Sequence, residues 1–240
     1  MRLTYIYHSG FAIEADGYSI LIDYLKDTGE TPDTGYVHDE LLHRPGTLYI
    51  LSTHFHPDHF NPEILKWQET KKDIKYIFSK DILKRRRAKP EDGLFMKKGD
   101  VFEDGQICIR AFGSTDVGIS FLIEAEDKLL FHAGDLNNWH WKDESTPQEV
   151  AKAEGDYLHE LDELAKATGH LHHAMFPVDP RIGSDFMRGA EQFVDRIQTD
   201  ILVPMHFWER PAEVVAFGAY AESKGCRYIL LGEPGEGTDF

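Results

Sequence analysis

With 240 residues, 41% of them hydrophobic and 12% aromatic, the chain can bury a substantial core in one large α/β domain or two small ones, which excludes a disordered protein. Lys and Arg number 26 against 42 Asp and Glu, and the resulting formal charge of −16 repels phosphate polymers, so nucleic acid is disfavoured as a partner. The only cysteines, Cys108 and Cys226, each lie in an apolar segment; this excludes a disulfide framework or a cysteine-type zinc site and points to buried free thiols in a reducing compartment.

Residues 1–7 lack the apolar core of a secretory signal, and no run of about 18 apolar residues could span a bilayer, so a soluble, cytoplasmic protein with no membrane partner is expected. Residues 3–7, 11–14, 19–23 and 47–51 read as strands, with a turn at Asp16-Gly17. The connection over 26–45 is polar, Gly- and Pro-bearing and unusually long, which suggests a loop near a site. Asn61-Pro62-Glu63 supplies an N-cap and a proline at the first helical position, so a helix is predicted there. Residues 75–79 read as a strand, followed by a small basic helix before Pro90. From 101 to 132 the pattern is a β-meander, with a hairpin signal at Asp104-Gly105 and strands over 106–112, 119–124 and 128–132.

Thr146-Pro147-Gln148-Glu149 is a capping box, and Val150, Ala153, Tyr157, Leu161 and Leu164 then recur at helical spacing. After His170 the order becomes strand (174–177), helix (184–197), strand (201–204), helix (211–224) and strand (228–231), and the Gly- and Glu-rich tail from 232 is expected to fray. No repeat or linker interrupts the chain, so residues 1–240 are expected to form a single domain with two sheets packed face to face and helices outside.

The densest chemistry stands in His54-Phe55-His56-Pro57-Asp58-His59, straight after the apolar run Leu48-Tyr49-Ile50-Leu51. Imidazole with carboxylate is the donor set of zinc-class divalent cations. An extended backbone projects His54, His56 and Asp58 alike, and a turn fixed by Pro57 delivers His59. The bland reading, a polar loop that happens to collect histidines, fits poorly between an apolar strand and a capped helix.

These residues resemble the metallo-β-lactamase fold superfamily, whose H-x-H-x-D-H signature stands here as His54, His56, Asp58 and His59. Further landmarks follow in order: Asp23 after Ile20-Leu21-Ile22, Asp135 in His132-Ala133-Gly134-Asp135, and His206 in Val203-Pro204-Met205-His206. His8-Ser9-Gly10-Phe11 and Gly134-Asp135 are most similar to the branch holding ascorbate-6-phosphate lactonase-like hydrolases. The resemblance implies an α/β fold, a four-layer αββα sandwich of two mixed β-sheets flanked by helices. It implies His54 and His56 on a first metal, Asp58, His59 and His206 on a second, Asp135 bridging both, and Asp23 behind them holding the loop or a ligand histidine. The implied cofactor is zinc, one or two ions, with manganese or iron as alternatives.

One departure stands out. The family's further metal-binding histidine, expected after the strand over 107–112, is replaced by Gly113-Ser114-Thr115-Asp116. Either the first metal keeps only His54, His56 and Asp135 and is weak or empty, or Asp116 or His140 takes the vacant role. A turn aspartate and an aromatic-packed loop histidine are the ordinary readings of those two residues.

A cation held by such ligands with one open position lowers the pKa of bound water towards about 7, which suits ester, lactone, amide and phosphodiester cleavage. The expected function is a metal-dependent hydrolase of a small substrate, with Asp58 as the catalytic group that accepts or orients a proton. His8, Asp179 and Arg181 are candidate substrate contacts, Arg181 for a carboxylate or phosphate, although an Asp179–Arg181 salt bridge that fixes a loop is as reasonable. Trp139, Trp141 and Trp208 could wall a pocket or fill core. His170, His172 and His173 have no neighbouring carboxylate in sequence and read as favourable charge at a helix C-terminus; Lys84-Arg85-Arg86-Arg87-Ala88-Lys89 reads as a solvated basic face. The alternatives are a phosphodiesterase or ribonuclease, a noncatalytic metal-binding sensor, and a di-iron redox protein. Flavodiiron-type proteins resemble this motif with Glu in place of His56 and carry a flavin domain that this chain lacks. The pattern implies no particular oligomeric state.

Overall fold

Short apolar runs broken by tight turns fold into strands at both ends of the chain. The computed structural model describes all 240 residues and divides into two units, Met1–Lys97 with Leu231–Phe240, and Lys98–Leu230. In the first unit β1 (Arg2–Tyr7), β2 (Gly10–Ala15), β3 (Tyr18–Ile22), β4 (Thr47–Ser52), β5 (Ile74–Ser79) and β6 (Leu94–Met96) lie side by side in chain order, with Gly237–Asp239 along the free edge of β1. β1 to β3 pair antiparallel and β3 to β6 pair parallel.

A parallel pair needs a crossover, and residues 23–46 provide it between β3 and β4. That segment is not a bare loop: it holds a helical turn at Tyr36–Asp39 and a 3-10 turn at Leu41–His43. The buried carboxylate of Asp27 fixes it by accepting the Val37 and His38 amides (2.9 and 2.8 Å) and facing His38 Nδ1 at 2.7 Å. Val37, Leu41, Phe60, Ile64 and Trp67 then close over Leu21, Leu48, Ile50 and Phe78 in one buried cluster.

In the second unit β7 (Val101–Glu103), β8 (Ile107–Phe112), β9 (Ser120–Ala125), β10 (Lys128–His132), β11 (His170–Pro177), β12 (Gln198–Met205) and β13 (Arg227–Tyr228) also lie in chain order. β7 to β10 are antiparallel and β10 to β13 parallel, so both sheets follow one scheme. The helix Pro147–Ala167 is closed by the expected capping box, Glu149 accepting the Thr146 amide at 2.9 Å, and buries Tyr157, Leu161 and Leu164. The helix Arg188–Arg196 turns Phe193 inward, stacked on Phe131 at 5.7 Å and tilted against Phe176 at 4.5 Å. Truncating so buried an aromatic ring typically costs about 3–5 kcal/mol. Both cysteines are free; burial pushes the Cys226 thiol up to about 11, and Cys108 is half-buried. No helix is long and apolar enough to cross a membrane.

Several elements depart from the sequence expectation. The tail does not fray: Leu3 pairs with Thr238, and the Phe240 amide donates to Met1 O at 3.0 Å. The helix after Asn61 is a 3-10 run, Pro62–Glu69, although Asn61 caps it as expected by accepting the Glu63 amide. Regular helix starts only at Arg188; the Ser184 amide and hydroxyl before it both donate to Asp143 (2.7 and 2.8 Å). The 211–224 helix is broken into Pro211–Val214, Val215–Phe217 and Gly218–Ser223, and the last strand is only Arg227–Tyr228. β11 begins at His170, so His170, His172 and His173 lie on a strand and not at a helix end. The pairing of Leu171 with Thr199 brings Asp200 within 2.9 Å of His170, a carboxylate that sequence proximity could not reveal.

His173 is buried in β11, and burial first, then Lys128, pushes its pKa down to about 4. The folded value lies below the unfolded value of about 6.5, so the unfolded chain binds a proton first as pH falls. Stability tied to this residue is intact above about 6.5 and lost on acidification toward about 4, a span worth roughly 3 kcal/mol at most. Urea unfolding of wild type and His173→Leu from pH 7 to 4.5 should show a shallower pH slope for the variant; equal slopes would refute the assignment.

Candidate metal centre

The donors lie where parallel strands end. In the first unit Asp23 follows β3 and its amide donates to Leu51 O at 2.9 Å. Its fully buried carboxylate accepts the Thr53 amide (2.7 Å), the Thr53 hydroxyl (2.6 Å) and His59 Nδ1–H (2.7 Å). Having donated its proton to Asp23, the Thr53 hydroxyl is an acceptor for His54 Nδ1–H at 3.1 Å. His54 and His59 therefore carry a proton on Nδ1, which makes Nε2 the atom each ring can offer a metal.

His54 Nε2 faces His56 Nδ1 at 3.0 Å. Two nitrogens on one tetrahedral cation, each about 2.0–2.1 Å from it, would be about 3.3 Å apart, so this pair already approximates a shared position. The His56 carbonyl accepts the His59 and Phe60 amides (3.0 and 2.9 Å), which forms the turn that delivers Asp58 and His59. His8, buried at the end of β1, brings Nε2 to 3.3 Å from Asp58 Oδ2, and His8, Asp58 and His59 offer donor atoms within 4.8 Å of one another. His8, expected from the sequence as a substrate contact, stands beside Asp58 and His59.

In the second unit Asp135 follows β10 through Gly134, whose φ of 54° favours glycine. His206 follows β12, and its Nδ1–H donates to Asp179 Oδ2 at 2.9 Å. Nε2 then faces Asp135 Oδ1 at 3.4 Å. An imidazole nitrogen and a carboxylate oxygen so placed are a pair that one divalent cation can share. Asp179, fully buried just past β11, is clamped by Arg181 through Nε (2.9 Å) and Nη2 (2.6 Å), and its Oδ1 accepts the Arg181 amide at 2.9 Å. Burial alone would raise this carboxyl; the bonds from His206 and Arg181 outweigh it and hold the pKa down to about 2.

Trp139 Nε1–H donates to Asp135 O at 2.8 Å, and its ring meets the edge of His206 at 5.4 Å and stacks on Trp141 at 6.3 Å. The Arg181 guanidinium lies over Trp208 at 5.4 Å. Gly189 permits close approach of its helix, because a Cβ there would lie 1.8 Å from Asn137 Oδ1. His140 is engaged elsewhere, Nδ1 at 2.9 Å from Asn138 O and Nε2 at 3.7 Å from Asp185, which leaves it the packed role. His8, Asp23, Trp141, His206 and Trp208 all hold positive φ, a strain of order 1 kcal/mol each that clusters at functional sites. Sequence reasoning missed the bond from Asp179 to His206; the only signal was an aspartate just past a strand end, as at Asp23.

Residues 2–206 match the β-lactamase superfamily domain. A UPF0173 metal-dependent hydrolase of Methanopyrus kandleri is 23% identical over an alignment 261 positions long, which covers 98% of each chain. The metallo hydrolase Igni18 of Ignicoccus hospitalis shares 21% identity at a TM-score of 0.71, over 100% of this chain and 98% of its own. CmlA, a diiron β-hydroxylase of Streptomyces venezuelae, shares 14% identity at a TM-score of 0.69, over 100% of this chain but 54% of its own. These likenesses show a common α/β fold of two mixed sheets flanked by helices.

If Asp23 and Asp179 set the histidine tautomers, Asp23→Ala and Asp179→Ala should each weaken divalent-metal binding by about 10–100-fold, measured by chelator competition. Wild-type affinity in both variants would contradict this role.

Proposed function

Because the chain belongs to the β-lactamase superfamily, we propose that it is a metal-dependent hydrolase of a small substrate, with His54 and His56 on one metal position, Asp58, His59 and His206 on a second, and Asp135 serving both. The observation that carries this reading is that His54, His59 and His206 each commit Nδ1–H to a polar neighbour, which makes Nε2 the candidate ligand atom of each ring. Zinc is the first candidate metal; manganese and iron suit the same donor types. The family match runs through both units and supports treating residues 1–240 as one functional domain.

A bound cation supplies Lewis acidity and activates water for attack. Asp58, its side chain 26% exposed beside buried His8, accepts or orients the proton of the attacking water. Asp23 and Asp179 hold the imidazoles in the one orientation that presents Nε2. Arg181, 43% exposed, turns one side of its guanidinium to Asp179 and leaves the rest for a substrate carboxylate or phosphate, against the chain's charge of −16. His8 borders the same donors and Asp179 supports Arg181, so both shape the substrate position. An ester, lactone or phosphoester of a small anionic molecule in the cytoplasm fits these groups, and the charge argues against a nucleic-acid partner. Di-iron redox chemistry is the second reading, favoured by the additional carboxylate of Asp116 near Asp135.

A panel of p-nitrophenyl esters, lactones and bis-p-nitrophenyl phosphate should reveal hydrolysis that is lost on chelation and restored by divalent metal, with Asp58→Asn slower by about 10²–10⁴-fold. Hydrolysis unaffected by chelation would refute the proposal. Cleavage of the phosphodiester alone would favour the phosphodiesterase reading, and metal-dependent oxygen uptake without hydrolysis the redox one.

A further inference from the structure

The loop that replaces the family's usual histidine is fixed in place. Ser120 Oγ–H donates to Gly113 O at 3.0 Å, and the Asp116 amide donates to Ser114 Oγ at 3.4 Å. Between them Thr115 straps the loop to the segment after β10: its hydroxyl donates to Asn137 O at 2.5 Å and accepts the Asn137 amide at 3.0 Å. The strap holds Asp116 so that a carboxylate oxygen lies within 4.8 Å of the buried Asp135 carboxylate. Two oxygens that flank one cation at about 2.0–2.2 Å each lie at most about 4.4 Å apart, close to this spacing. Imidazole nitrogen converges on the same aspartate from another strand end, with His206 Nε2 at 3.4 Å from Asp135 Oδ1, so the geometry supplies a mixed nitrogen and oxygen donor set of the kind that divalent cations take.

We propose that Asp116 is a metal ligand, standing in for the absent histidine beside Asp135, and that this exchange of imidazole for carboxylate biases the first metal position from zinc toward manganese or iron(II). The inference rests on the reading that His54 and His56 serve that position. Its physical basis is donor hardness: imidazole suits zinc and iron alike, whereas added carboxylate oxygen favours the harder ions. Zinc retains the higher raw affinity expected along the divalent series, so the effect lies in the ratio of affinities. Asp116 itself is exposed on its loop, which lets it be replaced without disturbing the core.

The test uses the full chain, stripped by chelator and titrated separately with Zn²⁺, Mn²⁺ and anaerobic Fe²⁺, with bound metal counted by mass spectrometry after desalting. Wild type should bind two equivalents. Asp116→Ala should lose one, or bind it about 10–100-fold more weakly, while its metal-free melting temperature stays that of wild type. Asp116→His should restore the lost equivalent and raise the zinc-to-manganese affinity ratio at least tenfold. Wild-type stoichiometry and affinity in Asp116→Ala, or an unchanged ratio in Asp116→His, would overturn the inference and leave the hydrolase reading standing. A wild type that binds none of the three metals would overturn both.

Discussion

The site depends on carboxylates buried behind imidazoles. An imidazole has two nitrogens of similar basicity, and in water its proton moves freely between them. Asp23 removes that freedom from His59 directly and from His54 through the Thr53 hydroxyl, and Asp179 does the same for His206. Each carboxylate is fully buried, which strengthens its hydrogen bonds and would make its loss costly. The outcome is a set of lone pairs whose direction the fold fixes in advance, as metal binding at neutral pH requires.

Strand topology explains how residues so far apart in sequence acquire like roles. Both sheets pass from antiparallel to parallel pairing, at β3/β4 and at β10/β11. Asp23 and the His54 loop follow β3 and β4; Asp135, Asp179 and His206 follow β10, β11 and β12. In open α/β sheets ligands gather outside the carboxyl ends of the parallel strands, which is where these residues stand. The left-handed backbone at Asp23 and His206 is the local cost of turning each chain sharply out of its strand.

Much of this was legible in the sequence because the chemistry is contiguous or marked by strand ends. His54, His56, Asp58 and His59 fall within six positions, and Asp23, Asp135 and His206 each close an apolar run. Asp179 was harder to interpret. Its carboxylate reaches His206 only because β11 and β12 pair with Pro177 opposite Met205, a register no local pattern encodes. The same kind of blindness applied to the tail, which is ordered by backbone bonds to β1, and to His170, which meets Asp200 across a strand pair. The capping box at Thr146 needs no tertiary information and is legible from four residues, whereas the bond from Ser184 to Asp143 joins residues 41 positions apart.

The most direct test of this account is the protonation state of the histidine rings. Nitrogen-15 NMR of histidine-labelled, metal-stripped protein at pH 8 should find His54, His59 and His206 protonated at Nδ1, and a divalent cation should then shift their Nε2 resonances. Protons on Nε2, or ring resonances indifferent to added metal, would contradict it.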